Sequence, residues 1–199
     1  MNLDDFSDEI FVLDTETTGL DGGPCDVVVD VGVCAVDLFA ETARDVYSSI
    51  VGYDVSKWDD RRKNAWIFKN TDLTVDMVAA ATPQPDVRAD LARILRGKRV
   101  TAYNVPFDMD KFLYREPWGL RGLFRECTDI MAAATEVCKL PSQLYGCKYR
   151  FPKLDHAYSA ITEGDPAGIE GKQDHRALSD ARMASQLMIR MFRDLNYSP

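Results

Sequence analysis

The chain has 199 residues, 46% of them hydrophobic, and no long Pro/Gly/Ser-rich or single-sign run divides it, so one core and a single domain over residues 1–199 are expected. A net charge of −8 excludes a general polyanion binder, because nonspecific affinity for nucleic acid comes chiefly from Lys and Arg neutralising phosphates. Met1 to Glu9 is acidic where a secretory leader is basic, and the longest apolar run, Val27 to Val36, contains Asp30, so the expectation is a cytoplasmic protein with no membrane span.

Ile10, Phe11, Val12 and Leu13 are too continuously apolar for a half-exposed strand, which predicts Glu9 to Glu16 as a strand central in its sheet. Asp21-Gly22-Gly23-Pro24 signals a turn. The β-branched run Val27 to Val36 and the segment Arg44 to Val51 follow as second and third strands, joined by short links into an antiparallel meander. Helical patterns take over at Thr74 to Ala81 and Asp86 to Arg96, the latter with Leu91, Ile94 and Leu95 on one face and Arg88, Arg93 and Arg96 toward solvent. Lys98 to Tyr103 is a short strand after Gly97, and Pro106 suits the first turn of a helix running through Asp108, Lys111 and Phe112. A strand-to-helix passage near Phe124 to Val137 and a terminal helix from about Arg176 to Phe192 complete an alternating α/β chain. Five cysteines, Cys25, Cys34, Cys127, Cys138 and Cys147, are odd in number and never paired as C-x-x-C, so they are expected as reduced, mostly buried thiols.

Three strings carry the chemistry: Asp14-Thr-Glu16-Thr-Thr-Gly19, Asn104-Val-Pro-Phe-Asp108 and His175-Arg-Ala-Leu-Ser-Asp180. They supply four carboxylates and one imidazole, the equipment for holding two hard divalent cations and activating a water against a phosphodiester. Two bound cations would bring the net charge to about −4, leaving room for a short contact with nucleic acid. Asp14 and Glu16 are two apart on a strand, so both carboxylates share a face. Asp108, taken alone, reads as an acid stabilised by a helix N-terminus, but after a strand that position also faces the sheet edge where ligands of open α/β sheets bind. His175 and Asp180 are five apart, which separates them on a continuous helix, so His175 is expected in the Gly-rich loop, Glu163 to Gln173, that leads into the last helix and could carry a base in and out. An imidazole of pKa near 6.5 suits removal of a proton from water at neutral pH. His156 has no carboxylate or cysteine partner at ligand spacing and is read as structural. Trp58, Trp66 and Phe68, interleaved with Arg61, Arg62, Lys63 and Lys69, suit base stacking or, as the preferred reading, packing on the sheet. Lys148, Arg150 and Lys153 around Tyr149 and Phe151 form either a single-strand path or a solvated loop.

In order and placement the three strings resemble motifs I, II and III of the DEDDh 3′-to-5′ exonucleases, a branch of the ribonuclease H-like superfamily that includes polymerase proofreading subunits and ribonuclease T. The histidine five residues before the last aspartate marks the His subtype; the Tyr subtype would need tyrosine where this chain has Arg176. The resemblance implies an α/β, ribonuclease H-like fold with a central mixed five-stranded sheet flanked by helices. It implies that Asp14 bridges two Mg²⁺ or Mn²⁺ ions, that Glu16 and Asp180 complete the first site, that Asp108 holds the second, and that His175 is the general base. It also places Thr17 and Leu20 near the terminal 3′-hydroxyl and between the last two bases, and Asn104 and Phe107 at the backbone and end sugar, with Leu20 as plain core a rival. Two departures bear on those subsites: Thr71-Asp72-Leu73-Thr74 stands where His-Gly-Ile-Thr is common, and Tyr103 replaces a His before Asn104. The implied activity is release of nucleoside 5′-monophosphates from single-stranded 3′ ends, DNA foremost; an exoribonuclease and a noncatalytic adapter are the alternatives. No polymerase-tethering extension is read after the last helix, so a polymerase partner is not indicated, and oligomeric state is not legible.

Overall fold

The structure is a computed structural model describing residues 9–162, 173–195 and 197–199. Its centre is a mixed sheet whose strands run β4-β3-β2-β1-β5-β6. β1 (Ile10–Thr17), β2 (Val28–Asp37) and β3 (Thr42–Gly52) form the antiparallel meander that the short links require, and β5 (Arg99–Ala102) joins β1 in parallel. β1 is therefore central, as its unbroken apolar run demands. The sheet has six strands rather than five. The additional one, β4 (Thr82–Pro83), is two residues paired with Val51 and Gly52 at one edge, too short to show a period of two and carrying a proline that only an edge tolerates. β6 (Arg125–Glu126) closes the other edge beside β5.

Alternation along β1 divides the core in two. Phe11 and Leu13 pack on α4 (Gln84–Leu95) and on the helix Pro106–Leu113, whereas Ile10 and Val12 pack on α5 (Ile130–Cys138), α6 (Leu154–Thr162) and α7 (Ala177–Asp194). A smaller cluster gathers Val29, Trp58, Ile67, Leu73 and Val78 around the short helices α1 (Asp60–Lys63), α2 (Trp66–Asn70) and α3 (Val75–Ala80). The helix begun by Pro106 is wound wide, with the Tyr114 amide donating five residues back to Met109 at 2.8 Å. Of the cysteines, Cys34 alone is buried; Cys25 sits in an exposed turn and Cys147 in an exposed loop, so the expectation of mostly buried thiols fails where the chain offers no core to fill. Most of the Gly-rich loop Glu163 to Gln173 lies outside the described residues. Among the described residues, no helix is long and apolar enough to cross a membrane.

Candidate active site

The alternation that splits the core also aims the first motif. Asp14 and Glu16 continue the Ile10–Val12 side toward α7, while Thr15 turns to the opposite side. There the Thr15 amide and hydroxyl both donate to Asp108 Oδ1, at 3.0 and 2.6 Å, joining motifs I and II through one carboxylate that is 2% exposed. The turn that delivers Asp108 is held by Asp129, whose carboxylate accepts from the amides of Asn104 (3.3 Å) and Val105 (2.9 Å) while also capping α5 through Met131 and Ala132. Asn104 has φ of 81°, a left-handed conformation that asparagine tolerates better than most residues.

α7 reaches Asp14 because Gly32 lies directly opposite that residue on β2. Any Cβ at Gly32 would overlap the backbone of Ala177 and Leu178, so the missing side chain lets the helix start lie against the strand. Asp180, in the first turn of α7 and 2% exposed, accepts from Gln173 Nε2 at 2.7 Å through Oδ2. Its Oδ1 is buried without a hydrogen-bond partner. His175, just before the helix, brings Nδ1 to 4.0 Å from Glu16 Oε1, and the Trp66 ring stands edge-on to the imidazole with centroids 4.9 Å apart.

These groups line one open pocket of about 270 Å³, which contains Asp14, Glu16, Asp108, His175 and Asp180 together. Burial, then mutual repulsion, pushes the Asp14 carboxyl well above its ordinary range and that of Glu16 up to about 8. Burial likewise raises Asp108 and Asp180 to about 7, against the lowering effect of the Thr15 and Gln173 hydrogen bonds. Four carboxyl groups so placed, one with an orphaned oxygen, fit hard divalent cations; donor atoms of Glu16, His175 and Asp180 already lie within 4.8 Å of one another.

The sequence model of the RNase T exonuclease family matches residues 11–188, and so contains all three motifs. The chain belongs to that exonuclease family. Dependence on divalent metal is a property of the family, and the matched stretch includes Asp14, Glu16, Asp108, His175 and Asp180. The fold of the exonuclease is similar to that of Exonuclease X in complex with 5′ overhanging duplex DNA, at TM-score 0.62 and 20% identity over 95% of this chain and 94% of that one. It is similar also to the nuclease domain of 3′hExo, a DEDDh family member bound to rAMP (0.68, 16%, 94% and 93%), and to E. coli Exonuclease I with a 5cy-dT13 oligonucleotide (0.64, 13%, 94% and 41%). No curated protein matches the sequence.

Around the carboxylates the exonuclease arranges an apolar rim. Leu20 is 70% exposed and lines the pocket, which removes the plain-core reading of that residue; Thr17 and Phe107 line it too. Asn104 lies outside the lining, in the turn held by Asp129. The loop carrying Leu20 is tied to the Asp108 helix by Lys111, whose Nζ donates to Leu20 O at 2.8 Å and whose carbonyl accepts from the Gly23 amide at 3.0 Å. The aromatic cluster divides: buried Trp58 packs against half-buried Phe68, while Trp66 is 56% exposed and lines the pocket. Tyr103 also lines it and donates to Pro152 O at 2.9 Å. Lys148, Arg150, Lys153 and Phe151 are exposed, as is His156 on α6. Sequence reasoning missed Asp129, Gln173 and the partnership of Asp30 with Arg176. Only Asp30 left a signal, a carboxylate interrupting an otherwise apolar strand.

Proposed function

We propose that this single-domain exonuclease removes nucleoside 5′-monophosphates one at a time from single-stranded 3′ ends, with DNA as the favoured substrate. The observation that carries this reading is the convergence of Asp14, Glu16, Asp108, His175 and Asp180 on one pocket bordered by Leu20, Trp66 and Phe107. At about 270 Å³ the pocket is near the lower end of ligand sites, roughly 300–1,000 Å³, which suits an unpaired terminal nucleotide and not a duplex. Two Mg²⁺ or Mn²⁺ ions held by Asp14, Glu16, Asp108 and Asp180 would supply a nucleophilic water at neutral pH and stabilise the departing 3′-oxygen. His175 is the general base: its imidazole accepts the proton as the water oxygen bonds to phosphorus and the P–O3′ bond breaks. Leu20 wedges between the last two bases, Thr17 meets the terminal hydroxyl, and Phe107 and Asn104 hold the end sugar and backbone. An exoribonuclease is the second reading, favoured by likeness to a nuclease domain bound to rAMP.

The test offers 5′-labelled single-stranded DNA, duplex DNA and RNA with Mg²⁺, Mn²⁺ or chelator, alongside Asp14→Ala. A one-nucleotide ladder that needs metal and disappears in the variant is expected, fastest on single-stranded DNA. Internal cuts or undigested substrate would refute the reading, and RNA as the fastest substrate would select the second one.

A further inference from the structure

Asp30 stands opposite Glu16 on β2, 1% exposed, and its Oδ2 accepts from Arg176 Nε at 2.8 Å and from the Ala177 amide at 3.2 Å. The same guanidinium presents Nη1 to both carboxylate oxygens of Asp72, each at 3.2 Å, in the turn between α2 and α3. One side chain therefore ties together β2, the start of α7 and the segment that carries Trp66. Two features call for such a tie. His175 has φ of 55°, a left-handed conformation that is strained for a non-glycine residue and persists only where the surroundings over-determine it. The N-cap of α7 is Arg176, whose side chain has no acceptor for the first-turn amides, so the buried carboxylate of Asp30 fills that role and faces the positive helix end.

We propose that Arg176 is a positioning residue: bridging Asp30 and Asp72, it holds the left-handed turn that keeps His175 beside Glu16 and against Trp66. The guanidinium is suited to this because its fork serves two carboxylates at once, which a lysine point charge does not. The inference rests on His175 being the base, and the experiment separates the two.

Steady-state hydrolysis of 5′-labelled single-stranded DNA with Mn²⁺ is measured for Arg176→Ala, Arg176→Lys, His175→Ala and the His175→Ala/Arg176→Ala double variant. A misplaced base costs on the order of 100-fold, so Arg176→Ala is expected to lower kcat about 10- to 100-fold with KM within about threefold, and Arg176→Lys to fall between it and the parent. The double variant is expected within about twofold of His175→Ala, because a group that acts only through the imidazole has nothing left to act on. Arg176→Ala within about twofold of the parent, or a double variant slowed by the full product of the single effects, overturns the inference. If His175→Ala itself keeps the parental kcat, the base reading falls first and takes this inference with it. Should Arg176→Ala not fold, Asp72→Asn decides: the Asp72 side chain is on the surface, a kcat lowered about 3- to 10-fold supports the tie, and a parental kcat overturns it.

Discussion

Asp14, Glu16, Asp108 and Asp180 are held where their charged forms are disfavoured, and that has an energetic sign. With metal chelated, the folded protein keeps protons that the unfolded chain gives up near pH 4, since Glu16 is raised to about 8 and Asp108 and Asp180 to about 7. Stability should therefore fall as pH climbs from about 4 to about 8, the opposite of an ordinary salt-bridged carboxylate. Asp45, whose carboxyl Arg182 holds low, acts in the other direction but below that window. Melting in EDTA at pH 5 and pH 8 is expected to show the drop, and Mn²⁺ at pH 8 to reverse it; a melting temperature that rises with pH in EDTA contradicts the electrostatics. Glu16→Gln should abolish hydrolysis yet raise the metal-free melting temperature at pH 8, by roughly 2–4 °C per kcal/mol of repulsion removed. His175→Ala should slow turnover by about 10²- to 10⁴-fold with Mn²⁺ titration calorimetry unchanged. A collapse of Mn²⁺ affinity would instead make His175 a ligand, the role open to it because its donor atoms lie so near those of Glu16 and Asp180.

Two contacts between elements set the site. Gly32 on β2 lets α7 lie close, so Gly32→Ala should cost about 1–3 kcal/mol in urea unfolding and displace His175 and Asp180, lowering activity as well. Asp129 caps α5 and holds the Asn104 turn; Asp129→Ala should lose about 1–2 kcal/mol and also reduce kcat, whereas a cap alone would lower stability and spare turnover. These contacts mark the border of what sequence could tell. The β1 strand, the facing of Asp14 and Glu16 and the placing of Asp108 behind Pro106 were legible because each follows from a local period or a local φ preference. β4 was not, being two residues whose pairing is decided by a strand some thirty positions earlier. Asp129, Gln173 and Arg176 were not, because ordinary surface types acquire meaning only through partners far along the chain or across a loop. Trp58 and Trp66 were indistinguishable by composition, and packing alone sent one inward and left the other at the pocket.

At the scale of the whole molecule, a protein of net charge −8 has little general attraction for nucleic acid, so the proposed function predicts binding concentrated at the pocket and the cations it would hold. Anisotropy of a labelled single-stranded oligonucleotide, measured with Ca²⁺ to hold substrate, should vanish on adding EDTA. It should also weaken with salt along a log–log slope of about −2 or shallower, the release expected for two or three phosphates. A steep slope would move much of the contact to the exposed basic loop around Lys148 and Arg150. The same layout bears on how far each step advances. Lys111 fastens the Leu20 loop to the very helix that supplies Asp108, so the spacing between the proposed wedge and the scissile position belongs to one braced piece of the protein. Under the proposed function, every fresh end entering the pocket would then meet an identical gauge, and the fragment removed would keep a constant length of one unit whatever bases it carries.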